Sequence, residues 1–105
     1  MNVQHITQKE LTDCIAHFER FARTYFWTPP SSASSRRSEE RRNSREWTFT
    51  VDGQPVTASV MISCSCRNYY AYREVTVGDE QKKMMVPYLR KCLAALAAQE
   101  ASDNV

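Results

Sequence analysis

Between residues 7 and 26 apolar side chains recur every three or four positions: Leu11, Cys14, Ile15, Phe18, Phe21, Ala22 and Tyr25 share one face of a predicted helix. Thr7 followed by Glu10 predicts a capping box at its start, with the threonine hydroxyl and the glutamate carboxylate each satisfying an orphan amide of the first turn. Pro29 and Pro30 predict its end, because proline disfavours helical backbone in the residue before it. The period then changes to two. Trp47, Phe49 and Val51 alternate with Thr48, Thr50 and Asp52; Val56, Ala58, Val60, Ile62, Cys64 and Cys66 alternate with Thr57, Ser59, Met61, Ser63, Ser65 and Arg67. Each run predicts a strand with one apolar and one wet face. Asp52-Gly53 predicts the turn between them, and Gln54-Pro55 is expected to lengthen it beyond the tightest hairpin.

Arg67-Asn68 turns the chain into a third strand at 69–77, where Tyr69, Ala71, Val75 and Val77 oppose Tyr70, Tyr72, Glu74 and Thr76. Arg73 falls on the apolar side, which predicts a bulge near Tyr72. Asp79 after Gly78 predicts the N-cap of a final helix whose buried stripe is Met85, Tyr88, Leu89, Cys92, Leu93 and Leu96. Pro87 inside it predicts a kink, or a restart of the helix at that residue.

This order predicts an α+β fold: a two-layer α-β-β-β-α arrangement, with a three-stranded antiparallel sheet and two helices packed on its apolar face. A chain of 105 residues makes this a single domain, 1–105. Two parts stand outside the pattern. The Ser/Arg-rich stretch 28–45 has no apolar residue larger than Ala33 and is expected to be a flexible loop. Its pairs Arg36–Glu40 and Glu39–Arg42 have helical spacing, but a few tenths of a kcal/mol per pair is too little to order a short helix alone. The tail 101–105 is expected to fray.

Composition excludes more than it identifies. Fourteen Lys and Arg against twelve Asp and Glu leave a formal charge of only +2, far from the dense positive field of a dedicated nucleic-acid binder. Two glycines, Gly53 and Gly78, cannot supply a Gly-rich phosphate cradle. No run approaches the roughly 18 apolar residues of a membrane span, and residues 1–10 are polar, so a cytoplasmic location with reduced thiols is expected.

Four residues of types that zinc accepts are present as Cys14-x-x-His17 and Cys64-x-Cys66, but the spacing is not that of paired zinc knuckles, and each cysteine falls on a face assigned to the core. No metal and no cofactor are expected. Cys14 and His17 as nucleophile and base lack a third group to orient the imidazole. Glu39-Glu40 is flanked by arginines in a segment too solvated to raise a carboxyl pKa. A non-enzymatic protein is therefore expected.

Candidate contact residues fall into three groups. Arg36, Arg37, Arg41, Arg42 and Arg45 cluster in the 28–45 stretch, Tyr70 and Tyr72 lie on the wet sheet face, and Lys82 and Lys83 stand at the start of the last helix. Tyrosine offers a rigid amphipathic surface suited to interfaces, and guanidinium groups pair with carboxylate or phosphate. The expected function is a small binding protein acting stoichiometrically on a protein or nucleoprotein complex, an inhibitor or adaptor of the kind phages and mobile elements encode. The alternative is an RNA- or DNA-binding module using the loop arginines and the last-helix lysines.

The order helix, three strands, helix over about residues 7–100, with Lys82-Lys83 near the last helix, resembles the double-stranded-RNA-binding domain in topology. That resemblance implies helix-start lysines on phosphate and contacts from the first helix and from the loop between the first two strands. The chain departs from it where Gly53-Gln54-Pro55 replaces the Gly-Pro-x-His loop, where the Ser/Arg stretch intervenes, and at Pro87.

Overall fold

The computed structural model describes residues 1–23, 33–64 and 69–103. The class is α+β, with more elements than the periodicity predicts: among the described residues, a five-stranded antiparallel sheet and three helices. Chain order is β1 (Val3–Gln4), α1 (Gln8–Arg20), α2 (Ala33–Asn43), β2 (Arg45–Val51), β3 (Gln54–Cys64), β4 (Tyr69–Val77), β5 (Glu80–Gln81) and α3 (Met85–Asp103), and the strands lie in sequence order across the sheet. β1 and β5 are too short for a period of two to show. β1 is held by pairing Val3 with Val51, and the side-chain amide of Gln99 completes its other edge: Val3 N–H donates to Gln99 Oε1 (2.7 Å) and Gln99 Nε2 donates to the Val3 carbonyl (2.9 Å).

α1 starts as its sequence dictates. Thr7 Oγ1 accepts from Glu10 N–H and Glu10 Oε1 accepts from Thr7 N–H, both at 3.0 Å. Leu11, Cys14, Ile15 and Phe18 are buried against the sheet, and Ile6 packs beside them. Tyr25 and the Pro29-Pro30 stop lie outside the described residues. The turn between β2 and β3 is the tightest type. Val51 pairs with Gln54, and both Asp52 (φ 52°) and Gly53 (φ 80°) adopt the positive φ of a two-residue hairpin whose twist matches that of the strands. Pro55 therefore sits in β3, opposite Thr50, and does not lengthen the loop.

The β3–β4 ladder runs unbroken from Val56↔Val77 to Cys64↔Tyr69, so no bulge occurs near Tyr72. Arg73 stays on the core face and solves its own burial: its Nη1 donates to the Phe18 carbonyl at 2.9 Å, satisfying one of the four orphan acceptors at the end of α1. The Arg67-Asn68 turn, with Cys66, lies outside the described residues.

Gly78 (φ 60°) and Asp79 form a β-turn into β5, not the start of a helix. α3 begins six residues later, at Met85. Pro87 falls in its first turn, where the missing amide has no helical partner to lose, so neither kink nor restart is needed. Leu89, Cys92 and Leu96 are buried, and the helix continues to Asp103, into the tail expected to fray. α1 and α3 pack together on the apolar face above Phe49, Val56, Ala58, Val60 and Val75. None of the described helices is long and apolar enough to cross a membrane.

α2 occupies residues 33–43 of the stretch expected to be a loop. It buries Asn43 but no large apolar side chain among those described, and what docks it is the edge of β3. β2 ends its pairing at Val60, leaving Ile62 and Cys64 with amides that no strand reaches. Ser44 Oγ accepts from Ile62 N–H (2.9 Å) and Glu40 Oε1 accepts from Cys64 N–H (2.6 Å), so two side chains carry the ladder on. Glu39 adds an ion pair with Arg42 and accepts from Asn43 Nδ2 at 3.0 Å.

Candidate functional site

One face of the sheet is covered by α1 and α3; among the described residues the other carries no buried one. Its described side chains are Glu46, Thr48 and Thr50 on β2, Thr57, Ser59, Met61 and Ser63 on β3, and Tyr70, Tyr72, Glu74 and Thr76 on β4. At its centre Met61 and Tyr72 sit directly opposite each other across the β3–β4 ladder, 52% and 58% exposed. Tyr70, opposite Ser63, is half-buried beside them. The alternation of side chains along β4 sends Tyr69 fully into the core and so places Tyr70 and Tyr72 outward.

The arginines are ordered by α2 and the start of β2. Arg37 and Arg41, four residues apart, share its outer, exposed face, whereas Arg36 is half-buried. Arg42 and Arg45 line a groove of about 730 Å³ between α1 and α2, together with Arg20, which the sequence pattern did not single out because it belongs to the polar face of α1. Asp13 and Glu39 on the same walls offset part of that charge. Lys82 and Lys83 lie elsewhere. They precede α3 on the far edge of the sheet, beyond β4, with Lys82 paired to Glu80 (3.6 Å) and lying over the Tyr88 ring (5.2 Å). The nine candidate residues thus do not form one patch: the tyrosines and α2 share the Cys64 end of the β3–β4 ribbon, and the lysines approach Tyr72 only through the cavities along the β4 edge. Lysines at a helix start, which the double-stranded-RNA-binding likeness implies, are absent from the described start of α3.

His17 floors the α1–α2 groove. It is buried against Phe21 and Trp47, and its Nε2 lies 2.6 Å from the Asn43 carbonyl. A carbonyl only accepts, so Nε2 carries the proton and Nδ1 is bare in the neutral ring. Burial holds this imidazole below the usual histidine range; the bond to Asn43 opposes the shift, and Arg45 and Arg20 reinforce it. The sign follows from proton counting. Between the lowered folded pKa and about 6.5 the unfolded chain binds more protons at this site, so its contribution to stability is full above about 6.5 and falls as pH drops through the folded value. Urea melts of the wild type and His17→Gln are expected to diverge in slope only below pH 6.5, with the wild type losing more stability; parallel curves would show that the ring is not held neutral.

Cys14 is fully buried, its thiol pushed up to about 12 by burial and by neighbouring Cys92, which suits neither a nucleophile nor a ready ligand. His17 points to Asn43, Cys64 is half-buried on β3, and Cys66 lies outside the described residues. Among the described residues no three His, Cys, Asp or Glu side chains converge where a metal ion could sit. Compared with known proteins, the chain matches no family model, no curated protein and no solved structure.

Proposed function

We propose that this is a small, non-enzymatic cytoplasmic protein that binds a macromolecular partner stoichiometrically through its open sheet face, as an inhibitor or adaptor of a protein or nucleoprotein complex. The observation that carries the reading is the Met61–Tyr72 pair: two large side chains, each more than half exposed, at the centre of a sheet face on which no described residue is buried. Methionine and tyrosine are among the residues enriched where proteins meet, and the Thr and Ser around them supply a polar rim. The exposed Arg37 and Arg41 of α2 border the same end of the ribbon and give such a partner a place for carboxylates.

A centre of this kind behaves as a hot spot, so Tyr72→Ala is expected to cost about 2 kcal/mol of binding, roughly 30-fold in affinity. The test is capture of the partner by immobilised protein after nuclease treatment, with wild type, Tyr70→Ala, Tyr72→Ala and Met61→Ser. Capture that survives nuclease and 200 mM salt and is lost in Tyr72→Ala supports the reading; capture indifferent to all three substitutions defeats it.

The second reading, phosphate binding, draws on Arg20, Arg42 and Arg45 around one groove. It predicts affinity falling steeply between about 50 and 200 mM salt, which a tyrosine-centred interface does not.

A further inference from the structure

Among the described residues no strand pairs with the outer edge of β4 at Ala71 and Arg73. β5 pairs only with Thr76 and Val77, and Lys82 N–H then reaches the Val75 carbonyl at 2.7 Å. At Val75, therefore, the backbone of β4 points away from β3, and the alternation of an antiparallel ladder makes the same true of Arg73 and Ala71.

The edge lies in a groove. Two cavities of about 420 and 300 Å³ lie along it and share Arg73, Glu74 and Met85; the larger runs from Arg23 past the edge to Met61 and Tyr72 of the open face, and the smaller reaches Lys82 and Lys83. Their cations are Arg23, Arg73, Lys82 and Lys83; against them stand Glu74 inside and Glu80, which pairs with Lys82, at the rim. The floor is a row of alternating amide donors and carbonyl acceptors, which matches another peptide backbone and not a phosphodiester, which offers acceptors alone.

We propose that the β4 edge is a strand-addition site for an extended acidic peptide segment, whose backbone pairs with Ala71 and Arg73 and whose carboxylates meet Arg23, Lys82 and Lys83. The proposal rests on the reading of the protein as a binder and names the chemistry of what it binds. Self-pairing of two β4 edges is disfavoured by the same charges, because it brings two sets of these cations together.

The probe is a fluorescein-labelled octapeptide of alternating valine and glutamate, with valine-lysine as control, followed by fluorescence anisotropy. Saturable binding of the acidic peptide alone is expected, weakened at least about tenfold by Lys83→Glu and by Ala71→Pro. Proline at 71 removes an amide that β3 does not use, a position where an edge strand tolerates it. Whether or not that variant folds, hydrogen exchange on the wild type decides: the acidic peptide is expected to slow exchange at the Ala71 and Arg73 amides. No saturable binding up to about 1 mM, equal binding of the lysine peptide, unchanged exchange at 71 and 73, or a dimer in sedimentation that Ala71→Pro abolishes would each overturn the proposal. Partner capture lost in Tyr72→Ala with exchange at 71 and 73 unmoved would sink the edge site and leave the face reading intact. Slowed exchange with capture indifferent to the face variants would do the reverse.

Discussion

Phe18→Ala is expected to lower the free energy of unfolding by about 3–5 kcal/mol, the range for emptying a fully buried phenylalanine site. Phe18 has no exposed surface and packs at a ring distance of 6.4 Å from Trp47, so it joins α1 to the first long strand of the sheet. Its carbonyl also receives Arg73, so the residue fastens both the side-chain and the backbone side of the helix end. Neighbours can close little of the gap, because α1 is fixed at its other end by the Thr7–Glu10 capping box. Domains of this size hold about 5–15 kcal/mol in total, so the variant is expected to fold with little in reserve. Equilibrium urea unfolding measures the loss; a change below about 1 kcal/mol, against the range just given, would show that α1 is not seated on the sheet as described.

Glu40→Ala combined with Ser44→Ala is expected to melt α2 altogether. Each substitution strips a partner from a β3 amide, and an unsatisfied buried donor costs about 1–3 kcal/mol. With little apolar surface to bury, an eleven-residue helix cannot meet that cost, and it leaves so that water can reach the amides of Ile62 and Cys64. α2 supplies 11 helical residues beside 13 in α1 and 19 in α3, so far-ultraviolet circular dichroism is expected to lose about a quarter of its helical signal. Exchange at Ile62 and Cys64 is expected to accelerate, and His17, freed from Asn43 and opened to solvent, to titrate closer to the usual histidine range. Unchanged helical signal in the double variant would mean that other contacts hold α2.

The period of the sequence carried what burial dictates. The face of α1 from Leu11 to Phe18, the in-out alternation of β3 and the outward placing of Tyr70 and Tyr72 all follow from which side chains avoid water, but α1 ends at Arg20 and not near residue 26, and Ala22, counted with the buried face, is exposed beyond it. What it did not carry rests on polar contacts between distant residues. α2 has almost no hydrophobic periodicity, and its anchors, Glu40 to Cys64 and Ser44 to Ile62, become visible only once the β3 edge is in place. Arg73 breaks the alternation of β4 in the sequence, yet no bulge forms, because the Phe18 carbonyl 55 residues away accepts a hydrogen bond from its guanidinium. Gly78-Asp79 fits a β-turn as well as a helix cap, and only the pairing of Glu80 with Val77 decides between them. For the candidate site, the exposure of Arg37, Arg41 and Tyr72 was legible but the grouping was not: the 28–45 arginines and Lys82-Lys83 are separated by the sheet itself, and Arg20 joins the former only through the packing of α1 beside α2.

The amide clasp between Val3 and Gln99 ties a residue near the start of the chain to one 96 positions on. On the ribosome, Val3 emerges long before its clasp exists, and until α3 is made β1 is tied to the sheet only by its short pairing with β2 and the Asn2–Asp52 hydrogen bonds beside it. The first strand of the sheet is thus secured only once α3 has been made, and a nascent chain stalled before α3 would display that margin unsealed to whatever surrounds it.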